Sequence, residues 1–317
     1  MSPDATFEKR EIGRLHLIER YQQSVSYELR KLAEPHAESS DVMELLPDDP
    51  EAYPDQKITN VFHDSTPSSV ETITSLATAS NPQFPAMVES LLDLENKHGE
   101  LSRIHEDLAA DGNLIIATNH SDIRDVAEVL SAFNVALRTS GNAAGEETDF
   151  KTLLMLSKMI THVAFFGIPA VEMLENLCDR QYYSFPRTKS IERSSISESA
   201  IKLYNSALRK IVAHQMARGG NVMGVALSGT TDKPDKEDPS KIVMARVTPG
   251  TAQMTRAPRA KLVPVAVHRQ GGGVFEVTDI PRRIHTDDQL HAVMGGIALA
   301  LNERITDRTF EYAGPKS

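Results

Sequence analysis

Leu114-Ile115-Ile116-Ala117-Thr118-Asn119-His120-Ser121-Asp122-Ile123-Arg124-Asp125 is the stretch on which the fold of this 317-residue chain turns. Its first four residues form a short apolar run bounded by turn formers, which predicts a buried strand. The polar residues that follow predict a turn, and Asp122–Leu137 reads as the helix it opens. Strand, tight turn and helix in that order are the unit from which α/β folds are built. The same alternation continues toward the C-terminus. Val163–Phe166, Val222–Leu227, Leu262–Val267 and Val274–Val277 read as strands. Ser197–Arg218 reads as a helix stopped by Gly219-Gly220, Thr248–Thr255 as a helix with Pro249 in its first turn, and Asp288–Ile305 as a closing helix. The expectation for residues 111–317 is an α/β domain with a mixed, largely parallel sheet flanked by helices.

Upstream of Gly112 the periodicity is helical. Thr6–Leu32, Ser69–Ala79 and Pro85–Leu108 carry apolar residues mostly at three- and four-residue steps. Between the first two, residues 36–69 are acidic and hold Pro47, Pro50, Pro54 and Pro67, the signature of a long loop. A small helical N-terminal domain over residues 1–110 is therefore expected.

Charge and composition exclude several function classes. Residues 1–110 hold 9 Lys+Arg against 21 Asp+Glu, a net of −12, while residues 111–317 come to +2. Nucleic-acid binding needs a basic surface and stacking platforms, but the chain is net −10 with no Trp and 5% aromatics. A single cysteine, Cys178, excludes an internal disulfide framework and a four-cysteine zinc site. The apolar residues before it, Val171, Met173, Leu174 and Leu177, make it a packed core thiol. Met1–Arg10 is polar and has no leader-like apolar run, and no stretch approaches the roughly 18 apolar residues of a membrane span. A soluble, cytoplasmic protein is expected. Its acidic N-terminal part would be repelled by an anionic leaflet, so any membrane contact would be weak, peripheral and transient.

Chemistry concentrates in the turn. Ligands of open α/β sheets bind beyond the carboxyl ends of strands, where His120 stands. Asp125, five positions on, can fold back onto the imidazole, fix one tautomer and leave the other nitrogen to take a hydroxyl proton. The alternative is a surface-turn histidine beside an aspartate that only complements a helix dipole. His120, Asp122 and Asp125 could chelate a metal, but no second His or Cys cluster completes a shell, so no metal is expected. Gly219-Gly220 and Gly271-Gly272-Gly273 lack a dinucleotide fingerprint and read as turns.

Three further segments follow His120-x4-Asp125 in order over about 150 residues. They are Tyr182-Tyr183-Ser184-Phe185-Pro186-Arg187-Thr188-Lys189-Ser190, Ala226-Leu227-Ser228-Gly229-Thr230-Thr231-Asp232-Lys233-Pro234-Asp235, and Leu262-Val263-Pro264-Val265-Ala266-Val267. The set resembles the four motifs of the glycerolipid acyltransferases. The third segment is closest to the Ala-Pro-Ser-Gly-Gly-Arg-Asp-Arg-Pro-Asp form of the soluble plastid glycerol-3-phosphate enzymes. The resemblance covers roughly residues 100–270.

The resemblance implies fatty acyl transfer from an acyl-thioester, acyl-CoA or acyl carrier protein, to the sn-1 hydroxyl of glycerol-3-phosphate. That thioester is a co-substrate, and no cofactor is implied. His120 would be the general base and Asp125 its orienting carboxylate. Arg187 and Lys233 would hold the acceptor phosphate, Lys189 would assist, and the Ser228-Gly229-Thr230 turn would offer backbone N–H groups. One position departs from the pattern: Thr231 stands where the third motif has arginine, which removes a bidentate phosphate contact. The alternatives are therefore acylation of lysophosphatidate or another lipid alcohol, or a catalytically inactive lipid- or acyl-carrier-binding protein. Arg180, Arg187, Lys189 and Arg193 form one cationic run and Arg256, Arg259 and Lys261 another, and either would suit an acidic carrier protein or the phosphates of CoA.

Overall fold

The computed structural model describes residues 69–122, 124–144, 151–156, 182–184, 216–217, 219–269 and 274–315. The helix expected over 6–32, the acidic loop up to residue 68, the strand expected over 163–166 and most of the helix expected over 197–218 lie outside them. So do Cys178, Arg187, Lys189 and Gly271-Gly272-Gly273.

The apolar run 114–117 is the centre of β1 (Asn113–Thr118), and all six residues of β1 are buried. A strand covered on both faces has no need to alternate polar and apolar residues, which is why it reads as a continuous run. β1 lies between β4 (Asn221–Ala226) and β7 (Ala260–His268), parallel to both. Two strands that the sequence pattern does not announce, β2 (Lys151–Leu156) and β3 (Tyr182–Ser184), continue the sheet in parallel beyond β4. On the other side β8 (Val274–Val277) runs antiparallel to β7. The spatial order is β3-β2-β4-β1-β7-β8, a mixed and mostly parallel sheet. A second sheet combines β5 (Lys233–Pro234), β6 (Lys241–Met244) and β9 (Thr309–Tyr312).

Helices cover the main sheet. Ser69 Oγ accepts from Thr72 N at 3.2 Å and caps α1 (Val70–Ser80). The stretch expected as helix over Pro85–Leu108 is two helices, α2 (Phe84–His98) and α3 (Glu100–Ala109). They are broken at Gly99, whose φ of 63° is the left-handed conformation that glycine adopts at little cost. α1, α2 and α3 pack against α4 (Asp125–Ala144), which lies on β1, β2 and β4. Ile73, Phe84, Leu91 and Leu101 share one continuous core with Ile115, Leu130, Val222 and Leu262. Gly224 lets α4 approach β4 closely, because a Cβ there would sit 3.1 Å from Leu130 Cδ2 and 3.2 Å from Val126 Cγ1.

α5 (Pro249–Met254) is capped by Thr248, and α6 (Asp287–Arg304) opens on a reciprocal capping box between Thr286 and Gln289. Leu290, Val293, Met294, Ile297 and Leu301 of α6 are buried, so its apolar face is spent on the core. Among the described residues no helix is long and apolar enough to cross a membrane.

The register sets the stage for the site. Thr118, the last residue of β1, lies opposite Ala226 of β4 and Val265 of β7. Residues 119–122 and 227–232, which leave β1 and β4, and residues 266–269 at the end of β7 therefore lie side by side.

Candidate functional site

Asn119 is fully buried and ties the first of these segments to β7. Its Nδ2 donates to Val267 O at 2.9 Å and its Oδ1 accepts from Val267 N at 2.8 Å. A side-chain amide thus extends the strand pairing one step past the end of β1.

His120 is buried, and its main chain is gripped by Asp232 from the third segment. Asp232 N donates to His120 O at 2.7 Å, while Asp232 Oδ2 accepts from His120 N at 3.1 Å and from Asn119 Nδ2 at 3.2 Å. This reciprocal clamp joins residues 112 positions apart in the chain. Burial pushes the Asp232 carboxyl up to about 6. Bonds from the Asn119 side chain and the His120 and Ala245 backbone N–H groups pull it down without cancelling that effect. Sequence reasoning places Asp232 inside a motif and gives it no role.

Asp125 is the first residue of α4 and is fully buried. Its Oδ2 accepts from Ser121 Oγ at 2.9 Å and from Asp122 N at 2.6 Å, which closes the turn over itself. Burial pushes this carboxyl up to about 7. The bonds from Asp122 N and Ser121 oppose the rise, the Asp122 charge adds to it, and Arg269 opposes it. Asp122 differs: its own burial would raise it, but the Arg124 side chain and main chain outweigh that and hold it below the usual range.

Arg269 follows β7 and carries no signal in the sequence, where it precedes a glycine run that reads as a turn. Its Nε lies 3.4 Å from Asp125 Oδ1 and 3.8 Å from Asp122 Oδ1, and its other arm pairs with buried Glu128. Glu128 in turn accepts from Ser80 Oγ at 3.1 Å and Asn81 Nδ2 at 3.0 Å. The end of α1 is thereby tied, through Glu128 and Arg269, to the Asp125 carboxylate. One guanidinium among three carboxylates, with Arg124 also bonded to Asp122, satisfies charges that burial alone would make prohibitive.

The 228–230 turn closes on itself. Gly229, at φ 56°, donates its N–H to Ala226 O at 2.9 Å. Ser228 Oγ donates to Thr230 O at 2.8 Å and accepts from Thr230 N at 3.4 Å. A phosphate would gain the Gly229 and Thr230 amides only by exchange for these bonds. Lys233 begins β5 and is exposed. The structure thus brings His120, Asp125 and the 228–232 turn to one end of the sheet. Arg187 and Lys189 lie outside the described residues. Of the second cationic run, Arg259 faces Asp111 at 3.5 Å and Lys261 pairs with Asp107, both at the amino ends of the strands and away from His120. Arg256 pairs with Asp287.

No protein-family model matches the chain, and no curated protein matches it.

Proposed function

We propose that this chain is an acyltransferase that moves a fatty acyl group from an acyl-thioester to the sn-1 hydroxyl of glycerol-3-phosphate. The observation that carries the reading is the Asp232 clamp. It fixes the main chain of His120 against the loop that would face the acceptor, at the sheet end where α/β folds bind ligands. A glycerol hydroxyl is a poor nucleophile at neutral pH and needs a base aligned on its proton. His120 takes that proton as the oxygen attacks the thioester carbonyl, and Asp125, with Arg269 beside it, stabilises the imidazolium. Collapse of the tetrahedral intermediate breaks the C–S bond, and the imidazolium returns the proton to the leaving thiolate. No covalent acyl-enzyme forms. Lys233, Ser228, Gly229 and Thr230, with Arg187 and Lys189, are the proposed acceptor-phosphate residues.

A second acceptor reading is lysophosphatidate or another lipid alcohol, and the missing guanidinium at Thr231 favours an alcohol without a phosphate. The proposed setting is cytoplasmic, with weak and transient membrane contact.

The test is turnover by the purified full chain. Acyl-CoA and acyl carrier protein are each offered with glycerol-3-phosphate, lysophosphatidate and long-chain alcohols. Transfer that falls about a hundred- to ten-thousandfold in His120→Ala is the expected result. Absence of transfer with every pair would overturn the reading and leave a binding protein, and equal rates in the variant would overturn the role of His120.

A further inference from the structure

Residues 246–248, between β6 and α5, form one wall of a cavity of about 510 Å³, a volume typical of small-ligand sites. Arg246, Arg256 and His291 line it, with Asp287 as the carboxylate on its wall. Arg256 is paired with that carboxylate, but Arg246 has no acidic partner among the described residues. Tyr312 braces this side. Its hydroxyl accepts from Val247 N at 3.4 Å and shares a 2.6 Å hydrogen bond with His291 Nδ1. A chain of net charge −10 thus places on the wall of a cavity an arginine with no acidic partner among the described residues. The rest of the lining is uncharged, with Val247, Pro249, Ala252 and Leu290 beside Thr248 and Gln253. The cavity matches a ligand with an anionic head and a largely uncharged neck.

Its position narrows the choice. Thr248 N bonds Leu227 O at 3.1 Å, which pins the cavity wall beside the third segment. Ala245, next to Arg246, directs its backbone N–H at the Asp232 carboxylate that holds His120. The path from the His120 main chain to Arg246 therefore runs through Asp232 and Ala245. Resting on the proposed acyl transfer, we infer that this cavity binds the phosphate of the donor's phosphopantetheine arm, with Arg246 as the main contact and Arg256 in support. CoA and a carrier protein both carry that arm, so the same cavity serves either donor.

The test is calorimetric binding to the full chain, with CoA, phosphate-free pantetheine and a holo-carrier protein as probes. Arg246→Gln should weaken CoA about tenfold or more and leave pantetheine unchanged, as loss of a charge-assisted phosphate contact predicts. Arg246→Lys should recover part of the loss. Because Arg246 is exposed, an unchanged melting temperature verifies that the variant is folded. A matching loss for CoA and holo-carrier identifies the phosphate of the shared arm, whereas a loss confined to CoA places the contact on the nucleotide phosphates and overturns the inference. Wild-type affinity for CoA and holo-carrier in both Arg246→Gln and the Arg246→Gln/Arg256→Gln pair would overturn the inference. So would absence of binding of either probe to the wild-type chain. If Arg246-dependent binding is found without turnover, the acyl-transfer reading fails and the cavity assignment stands. Turnover with an unchanged KM for the donor in Arg246→Gln gives the reverse.

Discussion

The Asp232 clamp sets two effects against each other, and Asp232→Asn separates them. The substitution keeps one oxygen to accept from His120 N and Asn119 Nδ2, and leaves the Asp232 N–H to His120 O bond untouched. It removes the charge and turns an amide NH2 toward donors such as Ala245 N–H. A buried donor left unmatched costs about 1–3 kcal/mol. Against this, the wild-type carboxyl is raised from 3.8 to about 6 by burial. A raised folded-state value means that the folded protein holds the proton more tightly than the unfolded chain. The stabilising contribution is thus complete below pH 3.8 and is lost as pH climbs through about 6. A rise of that size corresponds to about 3 kcal/mol, of which about 2 kcal/mol falls between roughly pH 4.5 and pH 7.5. Asparagine does not titrate. Urea unfolding of both proteins at those two pH values should therefore show the wild-type advantage shrinking by about 2 kcal/mol as pH rises. A difference that stays flat, or grows with pH, would refute the argument, because Asp232 would then not be a buried carboxylate held against its own desolvation.

Two further perturbations probe the frame around this clamp. Arg269→Gln leaves Glu128 and Asp125 without their shared cation and should cost about 3–5 kcal/mol in thermal or urea unfolding. It should also push the Asp125 carboxyl higher still, so the acid limb of any rate profile that needs ionised Asp125 moves to higher pH. Gly224→Ala places a methyl 3.1–3.2 Å from Leu130 and Val126 on α4 and should destabilise by about 1–3 kcal/mol, read by the unfolding midpoint.

The fold is legible where burial on both faces makes a strand nearly continuous in apolar residues. β1, β4 and β7 are of this kind, and each reads from its own sequence. β2 is not, because Leu153, Leu154, Met155 and Leu156 favour helix by propensity and only their parallel neighbours make them a strand. β9 is four residues long and exists by pairing with β6 across the small sheet, a partnership with no local signature. The break at Gly99 is hidden by an apolar periodicity that runs on from Met87 to Leu108, and the packing of α1 through Ser80 and Asn81 onto Glu128 has no local signal either.

The candidate site divides along the same line. His120 and Asp125 announce themselves by chemistry, spacing and position after a strand. Asp232 holds His120 from 112 residues farther along the chain, and Arg269 pairs with Asp125 from farther still, so no local pattern assigns them a partner. What unites the four is register. With Thr118 level with Ala226 and Val265, the segments that continue beyond each strand must meet. Two of those meeting points, Asp125 and Asp232, are carboxylates whose burial opposes their ionisation. Stability alone would favour apolar residues there. Buried carboxylates at the carboxyl end of a parallel sheet, one answered by a guanidinium and both by backbone N–H groups, mark a candidate functional site. That is the physical reason to test His120 before any other residue in this chain.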